Sequence, residues 1–127
     1  MNISHERVVE EMTSAVLAFL NGRLRNQWLT DSNGIVDLYV RKGVHAVNGQ
    51  LLHTFDIASM TIHADHRNKS IGQRIIDNIH NQHDREATYI ESLLNPRFYA
   101  HLLDEKWIDV TNTDPPCVIK FKQQWEK

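Results

Sequence analysis

Two stretches of this chain carry residues whose types and spacing could do chemistry. The first is the polar turn Arg67-Asn68-Lys69-Ser70-Ile71-Gly72-Gln73, which follows a run of strand composition and leads into an amphipathic helix. A strand that delivers a ligand onto the first turn of a helix presents unpaired backbone N–H groups and the positive end of the macrodipole, and both favour an anion. The turn therefore predicts a phosphate-bearing ligand. The second is Asp56, a lone carboxylate inside the otherwise apolar segment from Leu51 to about Ile62. A partly desolvated carboxylate suits acid–base work. The same residue also reads as a structural carboxylate paired with Arg41, Lys42 or a backbone amide, since buried aspartates are normally paired.

Eight histidines raise the question of a metal, above all His63-x-x-His66 and His80-x-x-His83. The helix between the pairs, from about Ile71 to His80, spans ~14 Å at ~1.5 Å per residue, so the pairs sit at its opposite ends. Each pair offers two ligands and no cysteine partner, short of the three or four that zinc requires. No metal is expected, and the histidines read as surface residues. Cys117, beside Val118 and Ile119, reads as a buried inert thiol.

The elements that must position these residues are legible in outline. Val8, Met12, Val16, Phe19 and Leu20 recur at helical spacing, with Ser4 as N-cap and Asn21-Gly22 as a stop. From Arg23 to Thr30 the pattern is ambiguous, one reading being a short second helix that buries Leu24 and Trp28. After the loop Asp31 to Gly34, strands begin at Ile35, weaken over Val44 to Val47, and turn back at Asn48-Gly49, the signature of a two-residue hairpin. The return strand is long. A helix follows from about Ile71 with Ile71, Ile75, Ile76 and Ile79 on one face, then a strand from Ala87 to Leu93. Asn95-Pro96 opens another helix, with Phe98, Leu102 and Leu103 as its inward side. Trp107 to Val110 and Cys117 to Phe121 read as the last two strands.

This order predicts an α/β or α+β fold, a single domain over residues 1–127 with a mixed, mostly antiparallel sheet flanked by helices. A length of 127 residues suffices for one core. The formal net charge of −2, without a Lys/Arg block, gives no electrostatic footprint for nucleic acid or an anionic membrane, so neither partner is expected. One cysteine precludes an internal disulfide. No stretch approaches the ~20 apolar residues of a membrane span, and the polar start lacks the apolar core of a signal peptide. A reducing cytoplasm is the expected setting.

The order of elements together with the turn resembles the GNAT N-acetyltransferase family, which carries Arg/Gln-x-x-Gly-x-Gly/Ala between its fourth strand and third helix. Here the stretch is Arg67-Asn68-Lys69-Ser70-Ile71-Gly72, with Ser70 at the first glycine. Asn95, its helix and Lys106-Trp107 fall where the family shows an Asn, a helix and a Gly-Phe-like pair. The resemblance covers roughly residues 35 to 121, and short phage and bacterial members are the nearest in kind. It implies transfer of an acetyl group from acetyl-CoA to an amine acceptor by direct attack. It implies a pantetheine arm against the backbone of Ile62 and His63, and a pyrophosphate cradled by the amides from Asn68 to Gln73, with Arg67 or Lys69 as countercharge and Asn95 nearby. Asp56 lies where some members carry the general base. The tyrosine that many members use as general acid is replaced by Leu102, with Tyr99 one turn earlier; Tyr99 faces the cofactor or covers the core.

Two further classes remain open at this level. One is a catalytically silent GNAT-like module that binds CoA or a partner protein, favoured by Ser70 and Leu102 at motif positions. The other is an interaction protein, such as a phage-encoded inhibitor, that uses the fold as a scaffold. Assembly as a homodimer is also compatible with the sequence, and the acceptor is not readable from it.

Overall fold

The computed structural model describes residues 4–67, 70–91, 96–110 and 115–122. Helix α1 (His5–Asn21) is capped as its sequence predicts: the Ser4 side chain accepts from the Arg7 amide, and the chain leaves at Gly22. Val8, Val9, Met12, Val16 and Phe19 form its buried stripe, at the spacing that keeps side chains on one face. Strands β1 (Asn26–Thr30), β2 (Val36–Val47) and β3 (Gln50–Ile62) follow. The first of these corrects the helical reading of this stretch. Asn26 to Thr30 pairs antiparallel with Arg41 to Asp37, Leu29 is buried, and Leu24 and Trp28 are exposed. A segment this short gains little from helix nucleation, whereas the edge of β2 supplies a ready ladder. The weak run Val44 to Val47 is simply the continuation of β2. At the hairpin Asn48 and Gly49 both take positive φ, 50° and 82°, as a two-residue turn requires.

A 3₁₀ turn (Ala64–His66) leads into α2 (Ile71–Gln82), followed by β4 (Ala87–Ile90), α3 (Pro96–Asp104), β5 (Ile108–Val110) and β6 (Cys117–Phe121). The sheet order is β1-β2-β3-β4-β6-β5. Helix α2 is the crossover that makes β3 and β4 parallel; the other neighbours pair antiparallel. The result is the mixed, mostly antiparallel α+β architecture that the order of elements predicts. The buried stripes of α1 and α2 and Leu102 of α3 share one core cluster with Val36, Leu38, Val40, Phe55, Ile57 and Val118, so all three helices pack on one sheet face. Alternation sends Leu52, Ala87, Tyr89, Cys117 and Ile119 into a smaller cluster on the other face. Among the described residues no helix is long and apolar enough to cross a membrane.

Two local features set up the site. Tyr39 pairs with Ser59 but Val40 pairs with Ile57, so Ala58 is the extra residue of a β-bulge in β3. The β3–β4 pairing runs only from Thr54 to Ile57, and Ala58 to Ile62 extend past the last pair. The second feature is the exit from α3. Lys106 has φ of 71°, its amide donates to Leu103 O, and the Trp107 amide donates to Leu102 O. That is a Schellman cap with lysine where glycine is usual. It turns Trp107 inward while Leu103, expected to face inward, is exposed.

Candidate active site

The end of β3, the turn and the first residues of α2 and α3 enclose a cleft of about 680 Å³. Met60 and Ile62 form its floor on β3. His66, Arg67, Ser70, Ile71, Gly72 and Gln73 form one wall, and Arg97, Phe98 and His101 form the other. Ser70 caps α2 with φ 60° and ψ 16°, the left-handed region, and its side chain makes no capping hydrogen bond. The first-turn amides of α2 are thus left to a ligand rather than to the serine hydroxyl. Gly72 allows the helix to approach the strand: a Cβ there would stand 3.0 Å from both Ile62 Cδ1 and Met60 Cε. Arg67 is held over the turn by donation from Nε to Ile62 O at 2.8 Å. Gln73 donates to Asp77 at 2.8 Å, while its Oε1 is buried with no partner among the described residues.

Asp56 lies elsewhere. Its side chain emerges on the sheet face opposite the helices, where it is 2% exposed. Oδ1 accepts from Thr54 Oγ1 at 2.5 Å, and Oδ2 stands 2.8 Å from His45 Nε2 and 3.7 Å from Arg41 Nη2. Arg41 also pairs with Glu91 at the end of β4, whereas Lys42 donates to Gly22 O instead. Arg85 closes the network from below by donating to Thr54 O and Gly43 O. The carboxylate fills the space above Gly43, where a Cβ would come within 2.3 Å of Oδ2 and 2.6 Å of Cγ. Gly43→Ala is therefore expected to expel the carboxylate, cost ~1–3 kcal/mol as overpacking, and break the contact with His45. Urea denaturation checks this; a variant as stable as the parent would show that Asp56 can rotate away freely.

Of the residues singled out from sequence, the fold brings Ile62, Arg67, Ser70, Ile71, Gly72 and Gln73 together around the cleft. Asn68, Lys69 and Asn95 lie outside the described residues. His63 is not among the residues that line the cleft; its exposed side chain accepts from the Asp65 amide at Nδ1. Tyr99 is half-buried against the core cluster and donates to Asp109 Oδ2 at 2.6 Å, a bond that holds its phenol above the usual range. Leu102, at the position of the family's tyrosine, is fully buried. His66, Arg97, Phe98 and His101 were not anticipated as cleft residues, Phe98 being expected only on the inward side of its helix. The helical spacing of 97, 98 and 101 behind the Asn-Pro start was the signal for three of them.

The histidine pairs need one correction. His63 and His66 lie on the surface turn, but His80 and His83 are buried, at 7% and 2% exposure. Their position beneath β4 follows from Thr88, whose hydroxyl lies 2.7 Å from His80 Nδ1 and 2.6 Å from His83 Nε2. Among the described residues no group of three or more His, Cys, Asp or Glu is placed to hold a metal ion.

Solved structures share this arrangement of elements. A point mutant of the AtaT toxin, bound to the C-terminus of the antitoxin AtaR and acetyl-CoA, matches with a TM-score of 0.57 at 7% identity, over 71% of this chain and 60% of that one. The KacTA–DNA complex matches with a TM-score of 0.59 at 9% identity, over 93% of this chain and 81% of the other. The fold is GNAT-like. At such identities the likeness is one of fold, and this chain spans less than two thirds of the AtaT chain. No family model and no curated protein matches the sequence. The expectation that nucleic acid is not a partner gains no support from these likenesses, because the KacTA structure contains DNA.

Proposed function

We propose that this chain is a single acyltransferase domain that moves an acetyl group from acetyl-CoA to an amine acceptor in the cytoplasm. The observation that carries this reading is the cleft at the start of α2. Its residues fit a nucleotide thioester in three ways. The uncapped first turn and Arg67, with Arg97 across the cleft, suit a pyrophosphate. The missing Cβ at Gly72 lets the start of α2 sit close against Ile62 and Met60, which brings its first turn to the floor of the cleft. The orphaned Oε1 of Gln73 suits an amide N–H, of which the pantetheine arm has two. The AtaT likeness, a fold solved with acetyl-CoA, supports the same ligand.

When bound, acetyl-CoA supplies the activated carbonyl. The chain's own residues bind and orient it, and they must relieve the acceptor ammonium of a proton. The Asp56 network provides the negative charge for that deprotonation. Tyr99 directs its hydroxyl to Asp109 and Leu102 has none, so the departing thiolate takes its proton from water.

Ser70→Glu tests the cleft directly. Ser70 is exposed, so the variant should fold, and a carboxylate at a helix start is well tolerated. Facing a pyrophosphate it should weaken acetyl-CoA binding at least ~10-fold, or ~1.4 kcal/mol. Calorimetry decides: no binding by the unmodified protein, or unchanged affinity in Ser70→Glu, removes this site.

A further inference from the structure

We propose that His45 is the group that accepts the acceptor's proton and that Asp56 is its positioning residue, on the sheet face opposite the helices. The inference rests on the acetyltransferase reading and specifies its acid–base machinery. Asp56 is 2% exposed and both of its oxygens are engaged by donors, so an incoming amine cannot touch it. His45 is its exposed neighbour, with a quarter of the side chain open to solvent.

The bond between them fixes the tautomer. An ionised carboxylate only accepts, so the hydrogen between His45 Nε2 and Asp56 Oδ2, 2.8 Å apart, belongs to Nε2. Neutral His45 then carries its lone pair on Nδ1, the nitrogen not bonded to Asp56. The ring is held by stacking on Tyr89, with centroids 3.8 Å apart and planes 13° from parallel. Tyr89 is the β4 partner of Asp56, and the next pair, Ile57 with Ile90, is the last before the strands part. The imidazole is therefore stacked on the residue one pair before the β3–β4 pairing ends, and Met60 and Ile62, further along the same strand β3, line the cleft. Around it Asp56 and Glu91 are matched by Arg41 and Arg85, so the local charge balance does not select the acceptor, and amines of different class are the probes.

The step balances as follows. His45 Nδ1 takes one proton from R–NH₃⁺, and Asp56 offsets the imidazolium charge. The freed nitrogen lone pair forms the C–N bond to the acetyl carbonyl as the C–S bond breaks. The nitrogen then loses a second proton, the thiolate gains one from water, and His45 returns its proton to solvent. The products are the amide, CoA thiol and one released proton.

The test uses the full chain with acetyl-CoA and three probe amines, spermidine, tryptamine and a lysine-containing peptide. His45→Ala should lower kcat about 100-fold, the scale of general-base assistance, with acetyl-CoA affinity unchanged, and added imidazole should restore activity at least ~10-fold; Asp56→Asn should not be rescued. His45→Gln serves if the alanine variant does not fold. ¹⁵N NMR of the unmodified protein should show the Nε2–H tautomer at His45. Active parent protein with near-normal turnover in a folded His45 variant, or an Nδ1–H tautomer, overturns the assignment and leaves the acetyltransferase reading standing. A parent that turns over none of the amines removes that reading and the His45 role together.

Discussion

Between about pH 7 and pH 4.5 the protein is expected to lose on the order of 5 kcal/mol of stability through two buried histidines. The cause is a proton-ordered chain that has no place for an imidazolium. The Arg85 amide donates to His83 Nδ1, so the proton of neutral His83 is on Nε2 and goes to Thr88 Oγ1. The Thr88 hydroxyl then donates to His80 Nδ1, while the nearby Phe121 backbone only weakly favours the charged ring. Both nitrogens of His83, the Thr88 hydroxyl and His80 Nδ1 are thus used with both rings neutral. Burial first, then the nearby Lys122, pushes His80 down to about 4 and His83 down to about 3. Lys120, Arg85 and the rings themselves add to the positive surroundings.

The sign follows from linkage. Below the ordinary value of 6.5 the unfolded chain takes up protons at both positions while the folded chain does not, so stability falls as pH falls from 6.5 and levels off only below the folded values. Urea midpoints at pH 7 and 4.5 measure the loss while most carboxylates stay ionised. The discriminating quantity is the slope: in His83→Gln it should shrink by roughly half, whatever the variant's absolute stability. An unchanged slope would place the acid sensitivity in other groups.

Trp107→Ala is expected to cost about 3–5 kcal/mol, the range for removing a large aromatic from a core. Trp107 is 3% exposed and belongs to the main core cluster. Its ring lies 5.7 Å from that of His80 and 5.9 Å beneath Lys120 Nζ. It therefore ties the exit of α3 to the end of α2 and to β6. Its Nε1 is buried without a partner among the described residues, so among them the indole contributes packing and not a hydrogen bond. Trp107→Phe keeps most of the packing and drops the orphaned donor, and should cost under ~1.5 kcal/mol. Thermal or urea unfolding of the two variants separates these roles; an alanine variant that melts with the parent would mean that the helix–strand junction tolerates a cavity of indole size.

The elements that the sequence determined by itself are those whose signals are local. The cap at Ser4, the Asn48-Gly49 turn, the isoleucine face of α2 and the proline start of α3 each act within a few residues, through φ preference, orphan backbone groups or helical period, and each stands where the sequence places it. The turn from Arg67 to Gln73 was legible for the same reason, and so was half of the cleft.

Only the tertiary structure decided the rest, because it depends on strand register and on which face a side chain takes. The segment Asn26 to Thr30 has no period strong enough to declare itself, and becomes a strand only because β2 offers an edge. His45 is eleven residues from Asp56 in sequence, and no spacing rule links them; the β2–β3 register and the room above Gly43 bring them into contact. His80 and His83 read as polar surface residues until the β3–α2–β4 crossover sets them over Thr88. Arg97 and His101 meet the α2 turn only because α3 packs on the same face. Local chemistry thus fixed the elements and the polar turn, and long-range pairing, which no short window of sequence encodes, brought His45 to Asp56.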